Sequence, residues 1–268
     1  MLRVAARPLP ARLASLANGC YGYEERSQGP LVRSEFANAR VVMILETGPP
    51  LRVSSGGQAV SHGGGFVAGI HDGPTRTEHA GHQAGVQLNL PPLAARLVLG
   101  IPLAEIAHRV VAATDALPRA GREIALRLPE LPTWEARLDA VEELLASAFE
   151  RKQPASFREL AWATQKIECS AGRVQVRTLA RELGWSERRL QRAFAEQIGV
   201  SPKLFARLVR FQALMARIRA STDESWASVA LALGFADQSH LARDVRQFSG
   251  VTPSVAERSQ LQSAVATA

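Results

Sequence analysis

The sequence predicts an α+β protein in two parts, a β-rich first half and an all-α second half. Three observations carry that reading. Short β-prone runs separated by glycine-rich clusters fill residues 1 to about 100, helical periodicity takes over from about Pro92, and the C-terminal region contains a two-helix unit written twice.

The strands are legible as apolar runs between turn formers. Arg40–Glu46 (RVVMILE), Leu51–Val53, Phe66–Ile70 and Val86–Leu90 read as strands, and Thr47–Pro50 and Ser61–Gly65 read as the turns between them. Beyond Pro92, the residues Trp134, Leu138, Val141, Leu144 or Leu145, Ala148 and Phe149 recur at steps of three to four, which makes one apolar stripe on a helix. Thr133 is placed to cap it. The stripe suits either packing within the chain or an interface between two copies. The polar stretch Glu150–Ser156, broken by Pro154, is the expected linker, which divides the chain into residues 1–150 and 151–268.

The repeat is specific. Gly184-Trp185-Ser186, Leu190, Arg192 and Gly199-Val200-Ser201-Pro202 recur as Gly234-Phe235-Ala236, Leu241, Arg243 and Gly250-Val251-Thr252-Pro253. Matched pairs lie 50 residues apart before the turn and 51 after it, so the second copy has one extra residue in its turn. Each copy reads as a helix-turn-helix. In the first, Leu179, Ala180 and Leu183 form the inner face of the leading helix, and Gly184 supplies the stop because it adopts left-handed angles without a Cβ clash. Ser186 can cap a second helix over Glu187–Ile198, with Leu190, Phe194 and Ile198 inward. In the second copy a helix from about Asp237 to Ser249 turns Leu241, Val245 and Phe248 inward. One long helix joins the units. Ser201 can cap it, Pro202 suits its first turn, and Leu204, Phe205, Leu208, Phe211, Leu214 or Met215, and Ile218 form its stripe.

Charge follows the same division. Residues 151–268 hold 18 Lys+Arg against 10 Asp+Glu, whereas residues 1–150 hold 14 against 15, so the net charge of +7 belongs to the helical half. Arginine dominates, which suits planar contacts to phosphate and guanine. No run of about 18 apolar residues is present to span a membrane, and the Arg-rich N-terminus lacks the apolar core of a secretory signal. Cys20 and Cys169 lie far apart in sequence, so no disulfide framework is expected and a cytoplasmic setting fits.

Over Arg173–Glu257 the chain resembles the AraC/XylS transcriptional regulators, most strongly at Gly199–Pro202 and at Gly234–Pro253 (GFADQSHLARDVRQFSGVTP). Two residues depart from the family pattern: Val245 stands where an aromatic is usual, and Ala242 where Ser or Thr is frequent. The resemblance implies sequence-specific binding of double-stranded DNA, with two recognition helices entering successive major grooves. By position it points to Arg188, Gln191 and Arg192 in the first unit and to Gln238, Ser239 and Arg243 in the second. Arginine can pair with guanine O6 and N7, and glutamine with adenine N6 and N7. Arg173, Arg177, Lys203 and Arg207 fit phosphate contacts instead.

The same resemblance makes the first half a cupin-like β-rich domain with helical trim that senses a small molecule, dimerises, or does both. RNA polymerase is a further partner the family implies. His62, His71, His79 and His82 invite a metal reading, but their spacing matches no ligand signature, so no metal and no cofactor are expected. Gly63-Gly64-Gly65 lacks the Lys-Ser/Thr of a phosphate loop and reads as a turn. No His flanks either cysteine, which argues against an alkyl-transferring repair enzyme. The chain is therefore expected not to be an enzyme. The alternatives are a metal-dependent cupin-type enzyme fused to a DNA reader and a non-specific architectural DNA binder.

Overall fold

The computed structural model describes all residues except 18, 56–57, 62, 154–155, 221–225 and 259–268. Among the described residues, ten strands build the first half: β1 (Leu2–Ala6), β2 (Cys20–Arg26), β3 (Leu31–Glu35), β4 (Val41–Glu46), β5 (Arg52–Ser55), β6 (Gln58–Ser61), β7 (Phe66–Ala68), β8 (Thr75–His79), β9 (His82–Leu90) and β10 (Val110–Ala112). They form an antiparallel six-stranded sheet, β1-β2-β9-β4-β7-β10, and a four-stranded sheet, β3-β8-β5-β6. The helices are α1 (Pro92–Leu99), α2 (Ala113–Ala116), α3 (Arg119–Arg127), α4 (Trp134–Ser147), α5 (Phe157–Cys169), α6 (Val176–Glu182), α7 (Glu187–Gln197), α8 (Pro202–Arg219), α9 (Trp226–Ala232) and α10 (Gln238–Ser249). The α+β architecture expected from the sequence is the one observed.

Side-chain alternation explains how the larger sheet is used. On β2, Tyr21, Tyr23 and Glu25 point to a cavity of about 550 Å³ between the sheets, and on β4, Val42 and Ile44 do the same. The intervening Val41, Met43 and Leu45 are fully buried on the opposite side, in the core shared with the helices. Because β4 is covered on both faces, its sequence is a continuous apolar run. Strands β2, β3 and β8 carry polar residues and are harder to see. In LVRSE and TRTEH the alternate positions Arg33, Glu35, Thr75 and Thr77 line the cavity, so no apolar stripe marks them.

The helical stripe resolves as core. Thr133 caps α4 by accepting from the Ala136 N–H at 3.2 Å, and Leu138, Val141, Leu144, Leu145 and Ala148 are all buried within the chain. Only Phe149 stands out, 50% exposed. Trp134 sits where Gly22 leaves room, since a Cβ at residue 22 would come 2.4 Å from the indole. At the proposed linker, Arg151 donates to the carbonyls of Leu97 and Val98 at 2.8 and 2.6 Å and so ties the segment to the end of α1.

The two halves share a core and several polar contacts. The Ala37 N–H donates to the Phe248 carbonyl at 2.8 Å, Arg40 pairs with Glu168 at 2.6 Å, and the Phe36 ring meets Phe211 at 6.2 Å. Elsewhere Arg96 donates to Gln197 Oε1 at 3.0 Å, and Gln247 to the Asp72 carbonyl at 3.2 Å. Both repeat units therefore lean on the β-rich half. Among the described residues, no helix is long and apolar enough to cross a membrane.

Gly22→Val should drive a methyl into the Trp134 ring and cost about 1–3 kcal/mol, read as a lower denaturation midpoint; an unchanged midpoint would mean α4 slides without penalty. Glu46 is buried at the end of β4, accepts from the Leu51 N–H at 2.8 Å, and is pushed up to about 7 by burial. A raised carboxyl favours the folded state fully below its unfolded value, and that stability declines as pH rises from about 4.5 to about 7. Glu46→Gln should flatten that decline, which amounts to about 3 kcal/mol, in unfolding curves taken across the window.

Candidate nucleic-acid interface

The two repeat units are built by the same local chemistry. In the first, α6 ends at a left-handed Gly184 (φ +64°), and the Trp185 N–H reaches back to the Ala180 carbonyl at 2.9 Å. In the second, Gly234 (φ +72°) ends α9, and the Phe235 N–H reaches the Ala230 carbonyl at 2.9 Å. These are matching helix stops, 50 residues apart. Ser186 then caps α7 by accepting from the Arg189 N–H at 3.2 Å, whereas α10 is capped by Asp237, accepting from the His240 N–H at 2.6 Å. The extra residue read in the second turn is thus Ala236, which moves the cap to a 51-residue offset. Ser201 caps α8 through the Leu204 N–H at 3.2 Å.

The inner faces close as expected. Leu190 and Phe194 of α7, and Leu241, Val245 and Phe248 of α10, are almost completely buried. Val245 is fully enclosed despite standing where the family has an aromatic. On α8 the buried stripe is Phe205, Leu208, Phe211, Leu214 and Met215. Among the exposed residues of α7, Arg188, Gln191 and Arg192 are spaced to share one face. On α10 the exposed set is Gln238, Ser239, Arg243, Arg246 and Gln247, the last of them held by Arg207 and the Asp72 carbonyl. Arg243 also makes a long contact, 3.4 Å, to the Ser239 carbonyl. Arg189, exposed beside the first set, lies 4.2 Å over the Trp185 ring and shields the turn.

Two arginines of α8 have a different use from the one their charge suggests. Arg207 donates to Asp244 at 3.2 and 2.6 Å and to Gln247 at 2.6 Å, with its guanidinium 4.9 Å over Phe248. It is turned inward rather than left for phosphate. Arg210 donates to the Gly172 carbonyl at 2.7 Å and lies 5.3 Å over Phe235, and burial pulls its pKa down. Asp244 is only 2% exposed, so α10 carries an acid on its core-facing side that is neutralised from α8. Sequence reasoning passed over this pair. Its signal was an acidic residue at the inner spacing of Leu241, Val245 and Phe248. Arg173, Arg177 and Lys203 are exposed.

A family model described as a helix-turn-helix domain matches residues 179–259. The C-terminal region is a double helix-turn-helix domain of the AraC type. It makes the chain a DNA-binding transcription regulator. Among solved structures, a 1.65 Å structure of ToxT from Vibrio cholerae aligns with 10% identity over 89% of this chain and 98% of that one, with a TM-score of 0.51. The AraC-type fold with a β-rich first half is common to both. An AraC-type regulator from Chromobacterium violaceum aligns at 23% identity over 40% of this chain and 96% of its own, with a TM-score of 0.37. ToxT from Vibrio cholerae bound to an unsaturated fatty acid aligns at 9% identity over 94% and 97%, with a TM-score of 0.47. No curated protein matches the chain.

His62 lies outside the described residues. His71 is buried, with Nδ1 2.5 Å from the Gly69 carbonyl, while His79 and His82 lie 3.5 and 3.3 Å from Glu25 and Glu24. Among the described residues, no group of three or more His, Cys, Asp or Glu is placed to hold a metal ion. Burial pushes the Cys20 thiol up to about 11, away from the thiolate that alkyl transfer needs.

Arg207→Ala should strand a buried carboxylate and cost about 3 kcal/mol, seen as a lower unfolding midpoint. Arg207→Ala, Asp244→Asn together should recover part of the loss; no recovery would mean that the pair is not the stabilising element.

Proposed function

We propose that the chain regulates transcription by setting α7 and α10 into successive major grooves of one duplex. Arg188, Gln191 and Arg192 read bases from the first groove, and Gln238, Ser239 and Arg243 from the second. One observation carries this reading: two capped, core-anchored helices each leave their polar face exposed, and a single 18-residue helix, α8, connects their units. Grooves on one face of B-DNA recur about every 34 Å, so two rigidly connected helices can use one bound duplex. Arg173, Arg177 and Lys203 then supply phosphate contacts and make binding salt-dependent.

In this proposal residues 1–150 act as the sensor and residues 151–268 as the reader. The cavity between the sheets holds a small-molecule effector, and its size lies within the usual range for such sites, about 300–1,000 Å³. Support for control from the cavity comes from its wall. Phe36, Ala37, Asn38 and Arg40 line it, and the same segment touches Phe211, Phe248 and Glu168. A guest that shifts this segment shifts the seat of α10.

Selection of bound duplexes from a random pool should return one extended site. On that site Arg192→Ala should lose about 1–3 kcal/mol of discrimination at a single base pair, measured by competition at fixed salt. An equal loss on every sequence would leave Arg192 a phosphate contact and remove it from base readout.

A further inference from the structure

We propose that the cavity between the two sheets takes a hydrophobic organic cation, an amine or quaternary ammonium on an apolar body, with Glu35 as its counter-charge. This rests on the reading of the cavity as an effector site and names the class of effector.

The walls supply the apolar body's environment. Tyr21, Tyr23, Phe36 and Phe66 bring aromatic rings, and Ile44 and Val53 aliphatic surface. Aromatic faces attract cations through their quadrupoles, by about 0.5–2 kcal/mol each. The charged groups of the lining are not equivalent. Arg33 forms a two-pronged pair with Glu25, which also accepts from Gln83 at 2.6 Å, and Arg40 is held by Glu168 at 2.6 Å. Both arginines are therefore already neutralised. His71 lines the same space, and burial lowers its pKa, which favours the neutral ring.

Glu35 is left over. It follows Arg33 by two residues on β3 and so shares its cavity face, beside Thr75 and Thr77 of β8 across the strand pair. Its carboxylate is 3.5 Å from the Thr77 hydroxyl and forms no ion pair among the described residues. The charges around it are those of Arg33 and Glu25, with the phenols of Tyr21 and Tyr23 on the facing strand β2. The residue keeps open surface although the walls around it desolvate the carboxyl and raise its pKa, the pattern of a group that faces an internal space. A guest carboxylate would meet Glu35 and find both arginines taken. A guest cation would gain an unshared counter-charge and aromatic faces together.

The test is isothermal titration of the full chain with three naphthyl probes of matched size: a trimethylammonium, a primary alcohol and a carboxylate. The cation should bind about ten-fold or more tighter than the carboxylate. Glu35→Gln should erase that preference while alcohol binding stays within about two-fold. Equal binding of the three, or a preference for the carboxylate, overturns the cation and leaves the cavity an effector site. If none of the three binds, both the cation and the effector site fall.

Discussion

The larger sheet has to hide two faces at once, and the rest of the molecule is arranged around that demand. Residues of β2, β4 and β9 point alternately to the cavity and to the helices, so a single strand such as β4 supplies Ile44 to one and Met43 to the other. The smaller sheet lines the cavity from across, and α2 and α4 pack against the larger sheet. The helical layer is continuous in turn with the core of the DNA-reading region, where the largest buried side chains are Phe194, Phe205, Phe211 and Phe248. Because interiors are close-packed, a displacement on one side of such a core is felt on the other.

The reader depends on order at the ends of short helices. Helices of seven residues, such as α6 and α9, are too short to be stable alone. They persist because a left-handed glycine closes each one and an aromatic residue packs over the stop, Trp185 in one unit and Phe235 in the other. Arg207 and Arg210 then fasten the second unit to α8, the first through Asp244 and the second over the face of Phe235. Positive charge in this half thus has two uses. Arg188 and Arg192 remain outside, whereas Arg207 and Arg210 are part of the scaffold.

Legibility in the sequence followed the strength of local signals. The repeat with its stop glycines, the caps at Thr133, Ser186 and Ser201, and the strand at Arg40–Glu46 all stand in the structure within a residue of where the sequence placed them. These features are encoded by neighbours in the chain, whose geometry a few residues dictate. Strands β2, β3 and β8 escaped notice for a physical reason. Their inward side chains face a cavity lined with polar groups, so Arg33, Glu35 and Thr77 replaced the apolar alternation that marks a strand against a dry core. The stripe on α4 was legible as a stripe, but its partner was not, since Trp134 meets Gly22 from more than a hundred residues away.

By itself, then, the sequence determined the two-part architecture, the paired helix-turn-helix units and the outward placement of their polar faces, because each is written in short-range periodicity and capping chemistry. Tertiary structure alone decided which charges are neutralised. The pairs Arg33–Glu25, Arg40–Glu168 and Arg207–Asp244 join residues on different elements, two of them far apart in the chain. Whether a charge is free to meet a ligand or a phosphate depends on what folding brings beside it: spacing along the chain can turn Asp244 inward, but three-dimensional proximity supplies its partner.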